Sequence, residues 1–392
     1  MRNAATRPRV LHLDHAVVEG GAEYALQRMF AVGPLWQALL LLPRTASFGV
    51  FAARGDVRAI RAGVRQPAGV SEGGLRVVSA TARLLAQAVM TRLHPAFRSA
   101  DVIDANTARA AAYGALAVLG SDRQFVVHLR DMVDAQALGR AGHALMTRVI
   151  LPRADGVVTD TRATLASAER YLRPDALTAV IPSASGLRPR GTAVKRSPAP
   201  LRVGMLARID PWKGQAVLVD AFADAFAESD ALLEFAGGAP FGHEAFIDEL
   251  RRRSVERGIA DRVRFLGHVE DVDTLLDSWH IAVHASTRPE PLGQNVLQYL
   301  AAGCATVVAD EGGPTEFVND GENGLCVPPR DSTLLAAALR RLGDDPPLRD
   351  RLGRAAASTP GLLSDLAVVE AHAAFYTALV RRHPDRWRRH RS

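Results

Sequence analysis

Short apolar and β-branched runs alternate with longer amphipathic stretches through all 392 residues, the pattern of parallel sheets covered by helices. In the first half the runs that read as strands are 9–13, 37–42, 101–104, 124–129, 156–159 and 178–181, with helical periodicity in the gaps. The stretch 185–200, SGLRPRGTAVKRSPAP, is polar, holds three prolines and lacks periodicity, so it reads as a linker. A second series follows, with strands expected at 201–207, 231–236, 262–266, 281–284, 305–309 and 324–327, and a last helical pattern runs from Ala367 to Arg382. No short internal repeat of the solenoid kind is present. The pattern predicts an α/β chain with two open parallel sheets in tandem, each able to bind ligand at its strand carboxyl ends, and a cleft between them as the expected site.

Composition sharpens this in three ways. A content of 48% hydrophobic and 23% charged residues is that of a folded chain with two cores of ordinary size. Two cysteines, Cys304 and Cys326, are too few for a disulfide framework and read as reduced thiols. The first apolar run, Val10 to Leu13, is too short for a signal peptide, and the run around Leu35 to Leu42 falls short of the ~20 residues that span a bilayer. A cytoplasmic protein is therefore expected, with at most a peripheral place at the membrane.

Charge divides the chain. Residues 1–190 hold 24 arginines against 14 carboxylates, net +10, whereas residues 191–392 come to −4. The end, 381–392, adds six arginines and one aspartate. A basic first domain and tail suit contact with an anionic membrane or acceptor; a solvated arginine-rich surface accounts for the charge equally well. Nucleic acid is the weaker partner, since no aromatic residues interleave the basic ones. Only Lys195 and Lys213 are lysines.

Three segments hold candidate chemistry. Gly20-Gly21-Ala22-Glu23 follows the first strand and opens a helical pattern, where glycines admit close backbone approach and a helix start favours an anion such as a diphosphate. An ordinary glycine turn is the other reading, and the segment does not match the G-x-G-x-x-G dinucleotide fingerprint. In Gly204 to Gly214, GMLARIDPWKG, a strand ends in a loop bearing Arg208 and Lys213, two cations that can converge on the negative charge of a leaving diphosphate. In Ser286 to Gly303, STRPEPLGQNVLQYLAAG, a strand runs into a proline-bounded loop with Glu290, then a helix. A loop carboxylate can order sugar hydroxyls, the helix start at Gly293 and Gln294 can hold phosphate, and Gln298, one turn from Gln294, can reach a ribose.

The second half resembles the donor domain of the family 4 retaining glycosyltransferases of GT-B fold. GMLARIDPWKG, LLEFAGG, VRFLGHVED, ASTRPEPLGQNVLQYLAAG, GGPTEFV and NGLCVPP match in order over roughly residues 200 to 330. The first half matches more thinly, through GGAE, DVIDANTARAAAYG, VVHLRD at Val126 to Asp131 and ADGVVTDTRAT. The resemblance implies two Rossmann-like doubly wound domains facing across a cleft: 1–190 on the acceptor side, 191–365 binding the nucleotide-sugar donor, and 366–392 as a helix crossing back to the first domain with a basic tail.

It also implies roles. Gly20 and Gly21 resemble the glycines at the donor phosphates, Arg208 and Lys213 the diphosphate clamp, and Glu290 the first of two glutamates, touching the donor sugar. Leu292, Gly293, Gln294 and Asn295 resemble the phosphate-binding helix start, Val269 the place where the base packs, and His128, Arg130 and Asp131 the residues facing donor sugar and acceptor. From the residues alone, His128 ends an apolar strand and reads more readily as a satisfied core histidine; the resemblance reverses that preference. The expected activity is metal-independent transfer, with retention, from a nucleotide-diphosphate sugar of undetermined base to a glycan, lipid-linked or small-molecule acceptor. No cofactor is expected, and no Asp-x-Asp stands at a suitable strand end to hold a divalent ion.

Two departures stand out. Gln298 occupies the place of the second glutamate, where an amide offers one acceptor oxygen in place of a carboxylate's two. Ile181 to Ser185, IPSAS, replaces the family's asparagine-glycine turn. Gln298 keeps open a non-catalytic nucleotide- or membrane-binding partner protein as an alternative, and a sugar-nucleotide epimerase is the rival among enzymes.

Overall fold

A computed structural model of the chain describes residues 7–15, 20–44, 47–65, 74–188, 200–239 and 243–382, with the backbone alone for 74–78. Most of the expected linker (189–199) and the basic tail beyond Arg382 lie outside the described residues. The chain divides into two compact units, Met1–Ala184 with Asp365–Ser392, and Ser185–Ser364.

The first unit is built on β1 (Arg9–Leu13), α1 (Gly21–Val32), β2 (Gln37–Leu42), β3 (Arg58–Arg61), α2 (Gly74–Leu93), α3 (Pro95–Ser99), β4 (Val102–Ala105), α4 (Ala108–Ala117), β5 (Gln124–Leu129), α5 (Ala135–Leu145), β6 (Gly156–Thr159), α6 (Arg162–Ala168) and β7 (Leu177–Val180). Its seven strands pair in the order β3-β2-β1-β4-β5-β6-β7, all parallel. β4, β5 and β6 are buried along their whole length, as expected of strands covered on both faces. The pattern of the sequence missed β3. Arg-Ala-Ile-Arg is an edge strand with both arginines exposed, so it lacks the apolar run that marks a central strand.

The second unit follows with β8 (Arg202–Leu206), α7 (Gln215–Ala225), β9 (Leu232–Ala236), α8 (Glu244–Glu256), β10 (Val263–Gly267), α9 (Val272–Ser278), β11 (Ile281–His284), α10 (Gln294–Ala301), β12 (Ala305–Ala309), β13 (Leu325–Val327), α11 (Ser332–Asp344) and α12 (Pro346–Ala357). The six strands pair in the order β10-β9-β8-β11-β12-β13, again all parallel. Helix starts carry the side chains that satisfy their first N–H groups: Thr107, Asp134, Thr161, Asp271, Asp331 and Asp345 each accept from a backbone N–H.

The last helix, α13 (Asp365–Arg382), returns to the first unit. It buries Val368, Val369, Phe375, Tyr376 and Leu379, and Gln124 of β5 donates to the Leu379 carbonyl at 3.1 Å. No helix among the described residues is long and apolar enough to cross a membrane.

Both sheets reverse direction in the same way. From β1 the chain winds outward through β2 and β3, then returns to the other side of β1 at β4; β8 and β11 stand in the same relation. The crevice outside the carboxyl ends of such a strand pair is where open α/β sheets bind ligands. The segments after β1, β4, β8 and β11 are therefore the ones to inspect.

Candidate functional site

In the second unit these segments bring cations and a carboxylate together. Ala207 leaves β8 with its N–H on the Ala236 carbonyl at 2.9 Å, and buried Gln215 at the start of α7 donates to the Arg208 carbonyl at 2.7 Å, which pins the loop. Residues Pro211–Lys213 form one tight turn capped by Asp210, and Gly214 closes it with φ +82°, in the left-handed region. A Cβ on Gly214 would run into the Ala285 carbonyl, so this glycine lets the loop lie against the end of β11. Trp212 O accepts from Thr287 N at 2.7 Å and from its hydroxyl at 3.1 Å, which ties the β8 and β11 segments together.

Lys213 lies 4.2 Å from the centroid of the Trp212 ring and touches one oxygen of Glu290; the other Glu290 oxygen meets His284 Nε2. Burial and the neighbouring Arg208 cation pull Lys213 down to about 7, with Asp210 acting in the opposite sense. His284, at the end of β11, is pushed down to about 3 by burial and by Lys213, and its Nδ1 is buried with no hydrogen-bond partner among the described residues. A neutral His284 therefore donates from Nε2 to Glu290. Glu290 is held as well through its backbone, since its carbonyl accepts from Gly313 N at 2.7 Å.

The start of α10 stands beside this group. Gly293 caps it with φ +74°, and a Cβ there would come within 2.9 Å of Pro314 Cγ and 3.7 Å of the Glu290 carboxylate. Val296 N is bound by Gly293 O at 2.9 Å and by Asn295 Oδ1 at 3.0 Å. Two cations, a helix N-terminus and a carboxylate thus share the switch point of the second sheet, a constellation suited to an anion linked to a polyol.

Other expected donor residues prove to have structural duties. The Leu292 side chain is buried among Leu187, Leu297 and Ala301, so only its backbone is left for a ligand. Asn295 spends its amide on the Leu206 carbonyl at 3.0 Å and the Tyr299 hydroxyl at 3.2 Å. Gln298 donates to the Ser185 carbonyl at 3.0 Å. Val269, after β10, packs with Leu206, Val272 and Leu275 against Trp279 and Tyr299. Gln294 is the first residue of α10.

In the first unit the strand ends are closed by their own polar groups. Trp36 Nε1 donates to His12 Nε2 at 2.9 Å, which leaves His12 Nδ1–H to donate to Asp104 at 2.7 Å. His128 Nε2 lies 3.0 Å from the other Asp104 oxygen. Burial alone would raise the Asp104 carboxyl; His128 and His12 more than reverse that and hold it well below the usual carboxylate range. Expected to face the donor sugar, His128 is instead a core residue, 3% exposed and stacked on His372 of α13 at 5.3 Å. The signal for this lay in the apolar strand that it ends.

Arg130 reaches Asn106 Oδ1 at 2.9 Å, Asp160 at 3.4 Å and the Ser183 hydroxyl, while Asp131 is exposed. Asn106 also donates to Asp14 at 2.7 Å and to the Ala22 carbonyl at 3.1 Å, which fixes the start of α1. Glu23 folds back so far that a Cβ on Gly20 would collide with its carboxylate, a packing reason for that glycine. Gly21 is the first residue of α1. Burial and nearby Asp14 raise Glu23 to about 7. Asp14, His15 and Glu23 are the one group of metal-ligand type among the described residues, their atoms within 4.8 Å of one another; Asp14 already accepts from Asn106 and from His15 N.

The fold is that of sugar-nucleotide enzymes. The structure of Anabaena HepE in complex with UDP-glucose superposes with a TM-score of 0.76 at 25% identity, over 95% of this chain and all of that one. Sucrose-phosphate synthase from Thermosynechococcus elongatus, 19% identical, shares the fold at a TM-score of 0.75 over 96% of this chain and 100% of its own. Residues 194–359, nearly all of the second unit, match the family described as glycosyl transferases group 1. The chain carries a group 1 glycosyl transferase domain in a GT-B fold. This domain holds Arg208, Lys213, Glu290 and the start of α10.

Among curated relatives, a lipopolysaccharide core biosynthesis glycosyltransferase of Rhizobium meliloti is 34% identical over 126 residues, 32% of this chain and 37% of that protein. A D-inositol 3-phosphate glycosyltransferase of Streptomyces avermitilis is 32% identical over 191 residues, 47% of this chain and 41% of its own length. The chain thus spans about two fifths of the length of these relatives.

Reasoning from sequence missed His284, Asp14, Asp104 and Asn106 as members of these two groups. Each lies at or just beyond the carboxyl end of β1, β4 or β11, the strands that flank the two switch points, and that position was the available signal.

Proposed function

We propose that this chain is a glycosyltransferase that binds a nucleoside-diphosphate sugar in its second unit and transfers the sugar with retention of anomeric configuration, without a required metal. The observation that carries the reading is the meeting of Lys213, its neighbour Arg208 and the α10 start with Glu290 at the β8/β11 switch point. The C1–O bond to the diphosphate breaks, the acceptor oxygen bonds to C1 on the same face, and the acceptor proton passes to the leaving phosphate oxygen. Lys213 and Arg208 offset the charge that gathers on the diphosphate, the service that a metal gives elsewhere. A bound dianion favours protonated Lys213, so donor binding raises a group that burial and Arg208 hold near 7. Glu290 and, through its backbone, Gly293 orient the sugar and phosphate.

Uridine is the proposed base, because Anabaena HepE is seen with UDP-glucose. The acceptor is assigned to the first unit, with Arg130 and Asp131 on its side, and is a glycan, lipid-linked or small hydroxyl compound; His128 contributes by supporting Asp104 and Arg130 from within. The enzyme is placed in the cytoplasm with peripheral contact to anionic membrane. A thermal-shift panel of UDP-, GDP- and ADP-sugars tests the core of this reading, since a ligand of the native state alone raises the melting point. UDP-sugars should give the largest shift, and turnover should survive a chelator. A flat panel would overturn the proposal; a changed free sugar nucleotide without acceptor would mark an epimerase.

A further inference from the structure

Helix α2 of the first unit packs Leu84 and Ala88 on the core yet is otherwise inverted. Over its described side chains it buries Gln87 and Thr91 completely, while Leu85, Val89, Met90 and Leu93 are 43% to 66% exposed. Positions 85, 89 and 93 recur every four residues and Met90 lies beside them, so the four share one outward face. The inverted orientation is anchored. Gln87 Oε1 accepts from Val64 N at 2.9 Å and its Nε2 donates to the Ala62 carbonyl at 3.1 Å. Were the helix to roll and hide its leucines, these buried amide bonds would be lost, at a cost no smaller than the usual one for an unsatisfied buried polar group. At the carboxyl end Arg92 donates to the Ala117 carbonyl at 2.9 Å and the Gly120 carbonyl at 3.3 Å, which brings the half-exposed Leu119 beside this face.

The segment that carries this face has charge of one sign. From Gly73 to Ala100 the sequence holds four arginines and neither aspartate nor glutamate. Arg83 and Arg98 are exposed. A helical segment with large apolar side chains on its outer face and arginines as its own ionised groups suits the headgroup layer of an anionic bilayer. A protein partner is less well matched, because an acidic partner surface would leave the leucines facing carboxylates.

We infer that the Leu85–Val89–Met90–Leu93 face of α2 is the surface by which the first unit docks on an anionic lipid bilayer, its side chains entering the acyl boundary while Arg83 and Arg98 meet phosphate headgroups. The inference names the surface for the peripheral contact proposed above and rests on that contact, not on the transfer chemistry.

Sedimentation of the full chain with vesicles of phosphatidylglycerol and phosphatidylcholine in equal parts, and with phosphatidylcholine alone, tests it. The full chain should bind the anionic vesicles preferentially, and the triple variant Leu85→Ser, Val89→Ser, Leu93→Ser should bind them at least about tenfold more weakly. Val255→Ser, which alters an exposed valine of the second unit, should leave binding intact. Leu93→Trp, at a position 66% exposed and so free to take a larger side chain, should show a blue-shifted emission on anionic vesicles beyond that of the parent chain. The thermal shift by UDP-sugar in lipid-free buffer should be the same in the triple variant as in the parent, so a failure of docking and a failure of donor binding are read separately. Unchanged sedimentation of the triple variant together with no shift of Leu93→Trp would overturn the inference. So would loss of self-association by the triple variant in lipid-free sedimentation velocity, which would give the face to a second copy of the chain.

Discussion

The two sheets wind alike, yet their switch points are finished differently. In the first unit the polar groups at the ends of β1, β4 and β5 are bonded to one another: His12, Asp104 and His128 form one buried chain, and Asp14, Asn106 and Arg130 another. In the second unit the charged groups stand in loops beyond β8 and β11, where Gly214 and Gly293 allow close backbone approach, and Lys213 touches Glu290 and the Trp212 ring near the Arg208 cation. One end is a scaffold whose polar groups lean on one another. The other is a place where a cation waits in a poorly solvated setting for a better anion. The same topology thus supports a rigid support or a binding site, according to whether the polar side chains bond to one another or stand in glycine-bounded loops.

This contrast breaks most severely at Asp104. Asp104→Ala leaves two imidazoles without their buried acceptor and should cost about 3–5 kcal/mol of stability, read by denaturant unfolding. Lys213→Ala should do the opposite: a melting temperature close to that of the parent, with turnover lower by about 100-fold or more. Parent-like turnover in Lys213→Ala would remove the clamp.

Glu23 sharpens the comparison with pH. Its carboxyl is raised from 4.5 to about 7 in the fold, so stability is complete below the unfolded value and is lost as pH rises through 7. Glu23→Gln, which never ionises, should therefore be more stable than the parent at pH 8 by about 2 kcal/mol, and the gain should vanish near pH 4. An equal Tm for the two proteins at pH 8 would contradict this.

The buried histidines act in the other direction. His372 in the first unit, lowered to about 3 by burial and by His128, and His284 in the second both refuse a proton that the unfolded chain accepts below 6.5. Stability is then complete above 6.5 and falls as pH drops from there toward 3, at up to about 1.4 kcal/mol per pH unit for each histidine. His284→Asn can still donate to Glu290, and its unfolding free energy should show a shallower acid slope than the parent's. The smallest effect is expected from Gln298→Glu, which restores a second acceptor oxygen: tighter UDP-sugar binding by up to about tenfold in calorimetry, with about 1 kcal/mol of stability lost as the Ser185 contact goes.

Much of the fold was legible because central parallel strands are buried on both faces and so leave continuous apolar runs; β2, β5, β6, β11 and β12 lie where those runs predict. The edge strand β3 was hidden by its arginines, which an edge tolerates. At the site, Lys213 and Glu290 were legible as charged residues in loops between a strand and a helix. His128 was read two ways, since a histidine that ends an apolar strand looks the same whether its ring meets a ligand or an aspartate from the neighbouring strand. Asn295 was placed on a ligand by the family resemblance and Gln298 by its helical spacing from Gln294, whereas Leu206 and Ser185, distant in sequence, take their amides.

By itself the sequence determined the periodicities, the glycine-bounded loops and the change of charge along the chain, because each depends only on neighbours within a few residues. The tertiary structure decided which polar groups find one another: Asp104 with residues 92 and 24 positions away, Lys213 with Glu290, and the orientation of α2 through Gln87. Hydrogen bonds and ion pairs act over about 3 Å, and only folding brings groups so far apart in the chain within that reach.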